Sequence, residues 1–199
     1  MRSVGITGGI GSGKSLIISI LNSLGYPTYN ADSRAKWLSN YHPQVREQLL
    51  KVFGESVFDG QGLLNRAWLA GQVFSSPEKL SQLNQIIHPV TLADFEQWKK
   101  TQLAAGKTLV FKEAAILYEA KADLGVDSVW VIYAPQRVRI QRVKLRDNLS
   151  DEEIQARIAR QMPDSEKIYR ADFTIYNDSQ SFVLPQISSA LNFEKQQLT

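Results

Sequence analysis

Cysteine is absent from this 199-residue chain, which removes disulfides, thiolate metal sites and cysteine nucleophiles together. Also missing is any apolar run near the roughly 20 residues needed to cross a membrane. The opening "MRSVGIT" is too short in its apolar part to read as a secretory leader. Repeats, low-complexity tracts and Pro/Gly/Ser linkers are lacking as well. These absences fit a cytoplasmic protein without a membrane partner. The formal net charge is only +3, so composition demands no nucleic acid either. Hydrophobic residues make up 43%, enough at this length for one sizeable α/β core with a small appended subdomain.

What is present begins at the seventh residue. "TGGIGSGKS" (Thr7 to Ser15) is a full G-x-x-x-x-G-K-[ST] match between Gly8 and Ser15. Glycines there let backbone N–H groups turn inward on phosphates, and the following helix start adds partial positive charge. Gly9, Gly11, Ser12, Gly13, Lys14, Ser15 and Leu16 are therefore the expected ATP cradle. Lys14 supplies charge to the β and γ phosphates, and the Ser15 hydroxyl is placed to ligate Mg²⁺. The chain has no N-K-x-D base reader, which argues against a GTPase. "DGQG" (Asp59 to Gly62) reads as a turn.

Around this motif, apolar patterning alternates strands and helices. Strand candidates are "SVGIT", "YPTYNAD", "TLVFKE", "SVWVIYA" and "DFTIYN". They predict a parallel five-stranded sheet of P-loop NTPase type with helices on both faces. From 31 to about 106 the pattern is helical, with Pro43, Pro77 and Pro89 placed near helix starts. That block reads as a cover over the sheet's C-terminal edge, where α/β proteins bind ligands, and Trp37, Trp68 and Trp98 in it read as core or cover. The core is then 1–30, 107–138 and 164–199, leaving 139–163 as a lid.

The lid reading rests on charge. "PQRVRIQRVKLR" (Pro135 to Arg146) holds five basic residues and no acidic one. Arg139, Arg142 and Arg146 fall on one helical face. Arg157 and Arg160 follow in a second helix, whose start carries a Ser150/Glu153 capping box and whose end is marked by Pro163. Guanidinium forks match phosphate oxygens, so two such helices on a hinge suit closure over ATP. Asp32, just past the second strand, is either a base for an acceptor hydroxyl or a helix N-cap. His88, before Pro89, is either a structural hydrogen-bonder or a substrate contact.

Taken together, "VGITGGIGSGKS", "NADSRAKWL", "LNQIIHP", "RVKLRDNLSDEEIQARIARQMP" and "ADFTIYNDSQS" resemble the dephospho-coenzyme A kinase family nearly end to end. The resemblance implies MgATP-dependent phosphorylation of the ribose 3′-hydroxyl of dephospho-coenzyme A, and a three-part fold in which the 31–106 block is the helical substrate-binding insert. The sequence itself does not give the oligomeric state; a monomer is the favoured expectation. The resemblance further implies Asp32 as the base, with Lys14 and Arg142 as further catalytic groups. Arg142 and Arg146 would grip ATP from the lid, and Asn177 would lie beside its adenine. Asp32, Arg66, His88 and Arg157 would serve the acceptor. Two positions depart from the family's pattern. Asn30 stands where a second Asp is usual, which removes a carboxylate pair. Ala115 stands where proline is usual in "KEAAILYE", leaving Glu113 as a weak metal-side candidate.

Overall fold

The computed structural model describes residues 1–74 and 76–198, which divide into two compact units. The first comprises Met1–Asn30 and Lys99–Thr199, the second Ala31–Trp98.

In the first unit a five-stranded sheet runs β1 (Arg2–Thr7), β2 (Thr28–Asn30), β3 (Leu109–Glu113), β4 (Ser128–Tyr133) and β5 (Phe173–Tyr176). The spatial order is β2-β3-β1-β4-β5, and every pairing is parallel. Burial explains the continuous apolar runs. β3 is buried at all five positions and β1 at every one after Arg2, as expected for a parallel sheet covered by helices. Val4, Ile6, Phe111, Trp130, Ile132 and Ile175 form its core with Ile17 and Leu21 of α1 (Lys14–Ser23) and Ile187 and Leu191 further on. At the N-terminal ends of β1 and β4, Glu194 is wholly buried and accepts from Ser128 Oγ, Trp130 Nε1 and Arg2 Nε. A buried carboxylate without such donors would be strongly destabilising.

The second unit holds α2 (Ala31–Tyr41), α3 (Pro43–Phe53), α4 (Arg66–Phe74) and most of α5 (Pro77–Ala104). Val45, Leu49, Val57, Leu69, Val73 and Ile86 form a separate apolar core. Asp59–Gly62 is the expected turn, closed by a Gly62 N–H bond to Asp59 O and flanked by an isolated Phe58–Leu64 bridge. Trp68 packs against the core, but Trp37 is 47% exposed, with the Arg34 guanidinium 4.6 Å from its ring centre. Trp37 is thus no core residue.

Two further expectations need correction. Pro89 does not begin a helix; it lies inside the 28-residue α5. A proline there forfeits one hydrogen bond, but Pro89 is exposed while Ile86 and Phe95 on either side are buried. Apolar burial carries the helix through, and the Thr91 hydroxyl donates to Ile87 O at 2.9 Å. Second, Pro163 does not close α7 (Asp151–Ala159); it caps α8 (Asp164–Arg170), a helix that patterning did not reveal.

The rest agrees with the reading. α6 (Gln136–Asp147) follows β4, and the Ser150–Glu153 capping box of α7 forms in both directions. α9 (Val183–Gln196) ends the chain's regular structure. Among the described residues, no helix is long and apolar enough to cross a membrane.

Candidate active site

β1 ends at Thr7 and α1 begins at Lys14, so the phosphate-binding loop is the turn between them. Its glycines are required by what packs against them. Gly13 has φ 98° and ψ 25°, and a Cβ on it would lie 2.0 Å from Asn177 Nδ2. A Cβ on Gly9 would lie 2.2 Å from an Arg139 guanidinium nitrogen. Residues distant in sequence thus press on the loop wherever a side chain is missing.

The same neighbours hold the loop by hydrogen bonds. Asn177 Nδ2 donates to Ser12 O at 2.8 Å, and its backbone N–H donates to Tyr133 O at 2.7 Å. Arg142 donates to Ser12 O at 3.5 Å and to Ser179 Oγ at 3.0 Å. Ser179 sits at φ 73°, an uncommon conformation for serine. Lys14 Nζ donates to Gly8 O at 2.9 Å.

This loop fits a nucleotide polyphosphate. Lys14 and the N-terminus of α1 lie at one place, and Thr7 Oγ1 and Ser12 Oγ are buried there without a hydrogen-bond partner in the protein. Buried hydroxyls in that condition are rare and call for a ligand or water. For Mg²⁺ the donor set is thin. No group of three or more His, Cys, Asp or Glu side chains able to hold a metal occurs among the described residues. The exposed Ser15 hydroxyl, in the first turn of α1, is a hard oxygen donor of the kind Mg²⁺ takes.

The lid arginines separate into different environments. Arg139 meets the P-loop beside Arg142, as its spacing predicts, but it is only 3% exposed. It bonds Ala134 O at 3.1 Å, Ile10 O at 3.4 Å and Asp164 at 2.5 Å. Its position three residues into a helix that follows a buried strand directs it beneath the loop. Arg146 is exposed and forked onto Asp147, whose carboxyl it holds below the usual range. Arg157 is exposed on α7, and its charge adds to the lowering at Asp147. Asn148, in left-handed conformation, ends α6 before the capping box of α7. Leu16 is half exposed at the start of α1.

Three acceptor-side candidates lie in the second unit. Asp32 is exposed and falls inside the first turn of α2, because the helix starts at Ala31. It is therefore no N-cap of that helix. Arg66 is exposed at the first residue of α4, and His88 is half-buried in α5. Glu113, at the end of β3 in the first unit, is 8% exposed and accepts from Asn30 Nδ2 at 2.7 Å. Gln161 and Ser179 are the loop contacts that sequence reasoning missed. Each meets the loop across more than a hundred residues, or through Arg142, so no local spacing marks it.

A five-stranded parallel sheet with a P-loop at the end of its first strand defines a nucleotide-binding protein of the P-loop NTPase class. The dephospho-CoA kinase family model matches residues 2–182. The dephospho-CoA kinase of Bacteroides fragilis (strain YCH46) is 40% identical over 195 residues, covering 98% of this chain and 94% of that protein. Among solved structures, TT1252 from Thermus thermophilus superposes with a TM-score of 0.81 at 34% identity, covering 100% of this chain and 98% of its own. Dephospho-CoA kinase from Campylobacter jejuni does so with a TM-score of 0.71 at 27% identity, covering 98% of each chain. The chain belongs to the dephospho-CoA kinase family.

Proposed function

We propose that the chain transfers the γ-phosphoryl group of ATP to the ribose 3′-hydroxyl of dephospho-coenzyme A, giving coenzyme A and ADP, the final step of coenzyme A biosynthesis. The observation that carries this is the reach of the family match, which spans residues 2–182 and so takes in the P-loop, the helical unit, the arginine helices and Asn177. In the reaction, the 3′-oxygen forms a bond to the γ-phosphorus while the bond to the β–γ bridging oxygen breaks.

Each residue's part in this follows from its chemistry. The P-loop set from Gly9 to Leu16 holds the triphosphate, and Lys14 balances charge on the migrating group. Asp32 orients the acceptor hydroxyl and takes its proton. Arg142 and Arg146, in the lid of 139–163, close on the phosphates, with Asn177 on the adenine side. Arg66, His88 and Arg157 contact the acceptor, whose own phosphates suit two guanidinium partners. Mg²⁺, carried in on ATP and touched by Ser15, would neutralise the β and γ oxygens. The enzyme is proposed to work in the cytoplasm as a monomer, checked by light scattering on the purified protein.

Purified protein incubated with MgATP and a panel of hydroxyl acceptors tests the reading. ADP release should require dephospho-coenzyme A. If only a nucleoside or another small metabolite supported ADP release, the proposal would be wrong. A regulator without chemistry would release ADP with none of them.

A further inference from the structure

Gln161 lies where the chain leaves α7 and has not yet entered α8. Its Oε1 accepts the N–H of Ile10, in the middle of the P-loop, at 2.8 Å. Its Nε2 donates to Ala115 O, just past β3, at 3.4 Å. One partner is an N–H and the other a C=O, so they fix which end of the carboxamide faces which. A carboxylate would satisfy only the first and an ammonium only the second.

The other polar group of Ile10 is engaged from the same segment. Ile10 O accepts from Arg139, and Arg139 is held by Asp164, three residues beyond Gln161. Residues 161–164 therefore grip both sides of one P-loop residue. That matters because Gly8, Gly11 and Gly13 have φ of 152°, 77° and 98°. A loop so rich in glycine has little local preference among conformations, and tertiary bonds decide which way its peptides face.

We propose that Gln161 is a positioning residue for nucleotide binding: it locks the Ile10 peptide and joins the stem of the α6–α7 lid to the P-loop. The loop is then set for phosphates before they arrive, and the cost of ordering it is not taken from binding. Movement at the stem of α7 is felt at the Ile10 N–H directly through Gln161, and at its carbonyl only by way of Asp164 and Arg139. The inference rests on the kinase reading for its purpose, but its geometry is measurable without turnover.

The test combines Gln161→Met, which keeps length and loses both bonds, with Gln161→Glu, which keeps only the acceptor. For Q161M the Kd and KM for ATP should rise about tenfold, the effect of one lost hydrogen bond to a partly buried donor, while the KM for dephospho-coenzyme A stays within about twofold. A parallel rise in both KM values would mean a general structural role and overturn the proposal. Amide hydrogen exchange of the ligand-free protein reads the bond directly. The Ile10 amide should be protected in the wild type and in Q161E, and lose protection in Q161M. An Ile10 amide that exchanges freely in the wild type would overturn the proposal even if Q161M failed to fold. Should the protein phosphorylate some other acceptor, the ATP Kd and the exchange data would still decide the role of Gln161.

Discussion

Asn30 Nδ2 donates to Glu113 Oε2 across 2.7 Å, between residues that are register partners at the ends of β2 and β3. A neutral amide thus faces a nearly buried carboxylate. Asn30→Asp would set two carboxylates at that distance, and both cannot remain ionised. One would keep its proton, with a folded pKa above the ordinary value near 4. A raised folded pKa means stability falls as pH rises through it. We expect N30D to be less stable than wild type by about 1–3 kcal/mol at pH 8, with the deficit shrinking towards pH 4. Urea unfolding in EDTA at the two pH values checks this; an equal deficit at both would refute it.

Gly13 and Asn177 make a second coupled pair. Gly13→Ala forces a Cβ to within 2.0 Å of Asn177 Nδ2 and keeps a residue with a side chain at φ 98°. The left-handed backbone costs about 1–2 kcal/mol, and displacing the amide from Ser12 O adds about 1–3 kcal/mol. A total loss of roughly 2–5 kcal/mol is expected in denaturant unfolding. In an Asn177→Ala background the steric part vanishes, so the same glycine substitution should cost less there. Strict additivity of the two changes would show that Gly13 answers to its backbone alone.

The sequence carried the parts whose signals are local. The P-loop, all five strands and the Ser150–Glu153 capping box each announce themselves within about ten residues, because periodicity and turn chemistry act over that range. Pro89 misled because a proline's local penalty was weighed without the burial of Ile86 and Phe95 that outweighs it. Helical spacing placed Arg139 beside Arg142, and both do meet the P-loop; what spacing did not show is that Arg139 is buried and tied to Asp164. Gln161 gave no signal at all. Its two bonds span 151 and 46 residues, and a glutamine near a helix end looks like ordinary surface. Asp32 was legible as a carboxylate after a strand, but its role rests on the family pattern.

For the proposed chemistry, Asp32→Asn and Arg142→Ala separate proton removal from charge stabilisation. A general base contributes about 10²–10⁴-fold, so D32N should lower kcat by about a hundredfold or more. Its ATP affinity should change little, because the P-loop contacts are untouched. R142A should lower kcat more than it raises the KM of dephospho-coenzyme A, since a lid arginine acts on charge that develops during transfer. Initial rates over both substrates give these values. Retention of near wild-type kcat by D32N would remove Asp32 from the role of base.

Asp127 links acid sensitivity to the start of the sheet. Its Oδ2 accepts from Ser3 N–H at 2.6 Å and from Ser3 Oγ at 2.7 Å. Burial pushes its carboxyl up, but the bonds from Ser3 and the charges of Arg2 and Lys99 together outweigh this and hold it below the ordinary range. A depressed folded pKa gives stability that is complete above the unfolded value, near 3.9, and is lost as pH falls through the folded one. Asp127→Ala should therefore be less stable than wild type at pH 7, and the difference should narrow below about pH 4. Thermal unfolding from pH 7 down to the acid limit measures both curves. A gap that stays constant across that window would mean the Ser3 contact stabilises the sheet without regard to the charge on Asp127.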